Sequence, residues 1–209
     1  MIEITENMLD TLRENVMKQM SVKRFRHTVA VEEMVLRLSG LYCPDQTMQL
    51  RAAALLHDIT KECSTEEQIA LCERYGLSVS AEDRLAPKTF HARTAAAIIP
   101  TEYPMFADPA VISAVRWHTT GRADMTLTEK LLYLADYIDA SRSFENCVIL
   151  RRFFWGACSE EMTADAKNAL LRDTLILSYR MTMEDLLADG TPIAPDTVEA
   201  RNQLLLERQ

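Results

Sequence analysis

Apolar residues recur at three- and four-residue spacing through most of the chain, and no run of alternating apolar and polar residues lasts long enough to argue for a sheet. The pattern is that of an all-α protein. With their start and stop signals, the runs predict helices at 5–20, 22–39, 45–59, 65–75, 90–99, 109–118, 127–140, 146–156, 164–189 and 197–208. Three pairs have the form of a capping box, in which a side chain and an acid three residues on each satisfy a free backbone N–H: Ser64 with Glu67, Thr126 with Glu129, and Asp196 with Glu199. Pro87, Pro100, Pro104 and Pro109 punctuate the middle, and Thr191–Pro195 separates a long helix from a short last one. Each glycine (Gly40, Gly76, Gly121, Gly156, Gly190) falls where a helical pattern stops.

Length and composition narrow the picture. With 209 residues, 48% of them hydrophobic, the chain can bury one substantial core, and there is no repeat, low-complexity tract or linker to divide it. A net charge of −8 opposes general adhesion to a phosphate backbone, so nucleic acid is not expected as a partner. The acidic, amphipathic start MIEITENMLDTLRENV lacks the form of an export signal, and no apolar stretch is long enough to span a membrane, which points to a cytoplasmic protein with no membrane partner. Five cysteines without a C-x-x-C read as reduced thiols. Met8, Met17 and Met20 read as gap-filling core residues of the first helix.

The candidate chemistry rests on four histidines and two carboxylates. His27 lies early in a helix that continues as TVAVEEMVLRL, and His57 closes the small-residue run LRAAALLHD, with Asp58 directly after it. Adjacent helical residues point about 100° apart, so the two can share one ion only over the edge between them or where the helix ends. Lys61, three and four residues on, falls on the same side. Asp136 sits in the apolar helix EKLLYLADYIDASR, where a carboxylate is costly to bury unless something neutralises it. A metal ion would do so, and so would an arginine such as Arg116 or Arg142. Imidazoles with carboxylates suit iron, manganese or zinc better than magnesium. There is no G-x-x-x-x-G-K-[ST] or G-x-G-x-x-G loop to cradle phosphates, so metal and cations such as Lys61, Arg122 and Arg142 would have to hold them.

A histidine, a His-Asp pair about thirty residues on, and a distant Asp in an apolar helix together resemble the HD superfamily of metal-dependent phosphohydrolases. Within it the chain is most similar to the YqeK group of symmetrical bis(5'-nucleosyl)-tetraphosphatases. The likeness runs through RFRHTVAVEEM, AAALLHDITKE, RWHTTGRADMTLTEKLLYLADYIDASR and DGTPIAPDTVEARNQLL, from about residue 20 to the C-terminus. It implies a single HD-domain helical bundle over 21–209 with a C-terminal helical extension, and residues 1–20 as an N-terminal helix packed on it. It also implies an iron-type ion, one or two in number, held by His27, His57, Asp58 and Asp136, with His91 and His118 in the same catalytic pocket. Lys61, Thr119 and Arg142 would contact nucleotide beside His27, Asp58, His91 and His118. The implied reaction is diadenosine tetraphosphate plus water giving two ADP, with ADP or GDP as product or analogue. Two alternatives remain: an HD phosphohydrolase for mono-, deoxy- or cyclic nucleotides, and a non-catalytic metal-containing nucleotide sensor. The run Arg151–Trp155 is compatible with a homodimer contact and equally with helical packing.

Overall fold

Side-chain caps decide where most helices begin. Thr5, Ser21, Ser64, Ser80, Asp108, Thr126 and Thr163 each accept a hydrogen bond from a backbone N–H of the first turn that has no partner within its helix. The computed structural model describes residues 3–159 and 161–208. Its helices are α1 (Glu6–Met17), α2 (Val22–Tyr42), α3 (Thr47–Leu56), α4 (Thr65–Arg74), α5 (Ala81–Leu85), α6 (Phe90–Glu102), α7 (Pro109–Trp117), α8 (Leu127–Ile138), α9 (Glu145–Ala157), α10 (Ala164–Ala188) and α11 (Pro195–Leu206). Short 3₁₀ turns at Pro44–Gln46, Pro87–Thr89 and Pro104–Phe106 join some of them, and there is no strand among the described residues.

Several expectations need correction. Asp196 and Glu199 form no capping box: Pro195 lacks an N–H, takes the first helical position, and leaves Ala194 as the cap, so Asp196 lies inside the first turn. The short helix α5, with its own Ser80–Asp83 box, was hidden because five residues show no periodicity. Helix α6 runs past Pro100 to Glu102, since a proline in the last turn removes only its own N–H and Tyr103 still donates to the Ile99 carbonyl at 2.9 Å. Gly40 and Gly156 lie inside the last turns of α2 and α9, and Met17 is exposed. The helix expected at 45–59 ends at Leu56, with His57 as its C-cap.

Helix α3 is the axis of the core. Ala52 to Leu56 are fully buried, and the three alanines let α2, α7 and α8 pack closely against it. Helix α1 covers α3 on one side; α9 packs between α8 and α10, and α11 closes on α10. No described helix is long and apolar enough to cross a membrane, and all five cysteines are free. The C-terminal end of α3, the N-terminal end of α6 and the C-terminal end of α7 meet the inward faces of α2 and α8, and at that junction the candidate chemistry collects.

Candidate metal centre

His27 lies on the buried stripe of α2 that continues through Val31, Met34, Val35 and Leu38, so the spacing that builds the core also aims this ring inward. His57, Asp58, His91, His118 and Asp136 are all buried with it. The helix end at Leu56 releases His57 and Asp58 from regular 100° spacing: His57 Nε2 lies 3.3 Å from Asp58 Oδ2. His27 Nε2 is 2.9 Å from Asp136 Oδ1 and 3.7 Å from Asp58 Oδ2. His91 Nε2 is 3.4 Å from Asp58 Oδ1 and 3.0 Å from His118 Nε2.

Three of the rings are oriented by the same local device. His57 Nδ1 faces the Ala54 carbonyl at 2.6 Å, His91 Nδ1 the Lys88 carbonyl at 2.8 Å, and His118 Nδ1 the Val115 carbonyl at 2.7 Å, each three residues back. The Ala54 and Val115 carbonyls belong to last helical turns, where a C=O has no partner within the helix, so a histidine just past the end can satisfy it. With the proton thereby on Nδ1, Nε2 presents a lone pair to the interior. His27 is held differently, its Nδ1 lying 3.3 Å from Ser141 Oγ and 3.4 Å from Asp139 Oδ2.

The donor set fits a cation. His27 Nε2 and His57 Nε2 are buried without a hydrogen-bond partner; the 2.9 Å approach of His27 to Asp136 is off the axis a hydrogen bond requires. Facing acceptors with no donor between them are costly unless an ion joins them. His27, His57 and Asp136, and likewise His57, Asp58 and His118, each bring one ligand atom to within 4.8 Å of the others, as a metal ion would need.

Charge states agree with that role. Burial opposes ionisation of both carboxylates, but the contact with His57 outweighs it at Asp58, and Arg142 with His27 does so at Asp136, so both lie well below the ordinary carboxylate range. Burial lowers His91 far below its usual value and, with His57 beside it, His118 to about 4, keeping both rings neutral. At His27 burial is overcome by Asp136 and Asp139, which raise it to about 9; these carboxylates favour any positive charge at that ring, proton or metal.

A cleft of about 520 Å³ opens above the centre. Lys61 lines it, its ammonium 3.2 Å from both ring nitrogens of His91 and its pKa lowered by burial. Thr119 Oγ1 lies 3.1 Å from His91 Nε2 and 3.2 Å from His118 Nε2. Arg142 donates from Nη2 to Asp136 Oδ1 at 2.5 Å and from Nε to the Asp136 carbonyl. Every candidate from the sequence therefore reaches the centre or the cleft except Arg122, which pairs with the fully buried Glu129 at 3.2 Å, and Arg116, which lies over the ring of Trp117. The glycine of the H-T-T-G-R turn has a structural reason: Gly121 sits at φ 64°, and a Cβ there would run into the hydroxyl of Tyr179.

Sequence reasoning missed Arg24, whose Nη1 donates to Asp58 Oδ2 at 2.6 Å, and Lys88 at the cleft wall. Arg24 precedes His27 by three residues on α2, a spacing that could have suggested it. A buried chain from Thr60 through Thr94 to Gln68, with contacts of 2.8 and 2.5 Å, braces the turn after Asp58 and was equally unforeseen.

The HD domain family model matches residues 24–141. The chain is 34% identical to the symmetrical bis(5'-nucleosyl)-tetraphosphatase of Halalkalibacterium halodurans, covering 89% of this chain and 91% of that protein. It is 30% identical to the protein of the same name from Bacillus subtilis, covering 91% and 94%. Among solved structures, a Clostridium acetobutylicum protein described as a predicted HD superfamily hydrolase involved in NAD metabolism superposes with a TM-score of 0.81 at 29% identity, over 96% of this chain and 97% of that one.

Proposed function

The chain belongs to the HD domain family and to its symmetrical bis(5'-nucleosyl)-tetraphosphatases, and from that premise we propose that it hydrolyses diadenosine tetraphosphate at the middle of its phosphate chain, giving two ADP. The observation that carries this reading is the convergence of inward-facing imidazole nitrogens and two ionised carboxylates at the floor of a cleft ringed by Arg24, Lys61, Lys88 and Arg142. His27, His57, Asp58 and Asp136 would hold a transition ion, and the mixed imidazole and carboxylate set favours iron, with manganese and zinc as the competitors. Bound there, such an ion supplies a Lewis acid and an acidified water, so no protein nucleophile is needed.

The chain's own residues do the rest. Asp58 and Asp136 remain ionised at neutral pH and keep negative charge at the centre. Arg24 and Arg142, paired to them, prevent that charge from repelling a polyphosphate. Arg142 has Nε and Nη2 committed to Asp136, which leaves Nη1 for a phosphate oxygen. His91 and His118, with Nδ1 directed at carbonyls, offer acceptor nitrogens; that suits them to hold a second cation better than to donate to phosphate. Lys61, beside His91, supplies the ammonium that such a phosphate oxygen needs.

The test is to purify the protein anaerobically with iron, measure bound metal, supply the dinucleotide and separate the products. Two ADP per substrate is expected; ATP plus AMP, or no turnover with any of the three metals, sinks the reading. The description of the Clostridium acetobutylicum protein gives a reason to include pyridine dinucleotides in the same substrate panel.

A further inference from the structure

A second cleft, of about 540 Å³, lies beside the first, and the two meet along a ridge formed by Lys88, Tyr137, Arg142, Thr182 and Leu186. Both volumes fall within the range of about 300–1,000 Å³ usual for small-molecule pockets. The second cleft is built largely from α9 and α10, beyond the residues 24–141 that match the HD domain. It therefore belongs to what distinguishes this chain from a bare HD core.

Its charge is polarised. The two cations at the ridge, Lys88 and Arg142, are shared with the first cleft, whereas Glu145, Asp185 and Asp189 line only the second. A ligand with phosphate at the ridge and a neutral, hydroxyl- and amine-bearing body beyond it would match that division; one with phosphate throughout would not. The floor is apolar, with Cys147, Leu150 and Met181 buried beneath it. At its side stands Phe144, 71% exposed, at the N-cap position of α9, where it makes no side-chain cap. Asn146 Nδ2 donates to Asp185 Oδ2 at 2.8 Å nearby, a polar pair able to address a base edge or ribose hydroxyls.

We propose that this second cleft seats the distal nucleoside of the dinucleoside polyphosphate, with Phe144 as the face on which its base stacks and the Asn146–Asp185 pair as its polar contact. The inference rests on the symmetrical hydrolase reading and deepens it. A cut at the middle of a symmetric molecule leaves an equal half on each side, and the ridge between two clefts of similar size carries Arg142, which is bonded to Asp136 of the centre on the floor of the first cleft. Lys88 and Arg142 then carry the phosphate chain across the ridge.

The experiment compares kcat/KM for diadenosine tetraphosphate with that for adenosine 5'-tetraphosphate, which has one nucleoside and can place it in the first cleft. Hydrolysis at the middle consumes one water per bond and gives two ADP from the former, ADP plus pyrophosphate from the latter. In Phe144→Ala the ratio of the two kcat/KM values falls about tenfold, mainly through KM for the dinucleotide. Because Phe144 is exposed, the variant keeps its fold. Asn146→Ala shifts the ratio in the same direction and by less. An unchanged ratio in both variants, with wild-type turnover intact, overturns the second subsite and leaves the hydrolase reading standing. A wild-type protein that cuts the one-nucleoside compound as well as the dinucleotide also overturns it; one that cuts neither overturns both.

Discussion

Helix α2 carries two buried ionisable residues, His27 and Glu32, roughly 140° apart around the helix by the 100° step, and they end in opposite kinds of surroundings. Glu32 is enclosed by its own chain: Arg13 grips it with Nε at 2.9 Å and Nη2 at 2.7 Å, and Arg51 adds Nε at 3.0 Å, tying α1, α2 and α3 together. His27 faces a cluster that also contains arginine–carboxylate pairs, Arg24 with Asp58 and Arg142 with Asp136, yet its Nε2 and that of His57 have no partner. A buried carboxylate beside an arginine thus marks either a structural tie or a functional centre. What separates them is whether acceptors are left facing one another.

The largest effect that could break the contrast is at Asp136. Asp136→Ala should lose both retained metal and turnover below detection, read by metal analysis and product assay; full activity would remove the centre from the account. Glu32→Ala should act in the other currency, lowering unfolding stability by about 3 kcal/mol, at the low end for breaking a buried pair because Arg13 keeps some access to water. Denaturant titration measures that loss, and the surviving folded protein should retain its metal content and kcat. If activity per folded molecule fell as well, the two clusters would be coupled.

Metal itself sharpens the comparison. Supplied at about 100 times its Kd, it should stabilise the native state by about 2.7 kcal/mol, raising Tm by roughly 5–10 °C for a chain of this size. Glu32→Ala should show the same rise from a lower start, and Asp136→Ala none. The smallest effect belongs to the outer support: Asp139 stands 3.4 Å from His27 Nδ1 and accepts from the Ser141 hydroxyl. Asp139→Asn should weaken metal affinity or kcat/KM about 10- to 100-fold, the range for groups that orient a ligand. A metal titration showing no change would mean that Ser141 alone orients the ring.

Much of this was legible along the chain. The helices follow from three- and four-residue spacing and from the Ser64 and Thr126 boxes, because these signals act within one or two turns. The Asp196 box failed because Pro195 overrode it, a local rule of higher rank. Arg122, a sensible phosphate binder on paper, is instead engaged by Glu129. Arg24 shares a helix face with His27, but its partner Asp58 lies 34 residues away, and Lys88 joins the cleft from a 3₁₀ turn, which no local pattern encodes. The second cleft depends wholly on how α9 and α10 pack against the end of α8.

Taken alone, the sequence determined the all-α class, the helix whose inward stripe carries His27, and the apolar helix that carries Asp136. Those are short-range consequences of helical geometry. Tertiary structure decided that the ends of α3, α6 and α7 meet the inner faces of α2 and α8 at one point, and which nitrogens and arginines remain free there. The reason is physical: a lone pair is directed by its nearest neighbours in sequence, but what it faces depends on helices brought together by burial of apolar surface from distant parts of the chain.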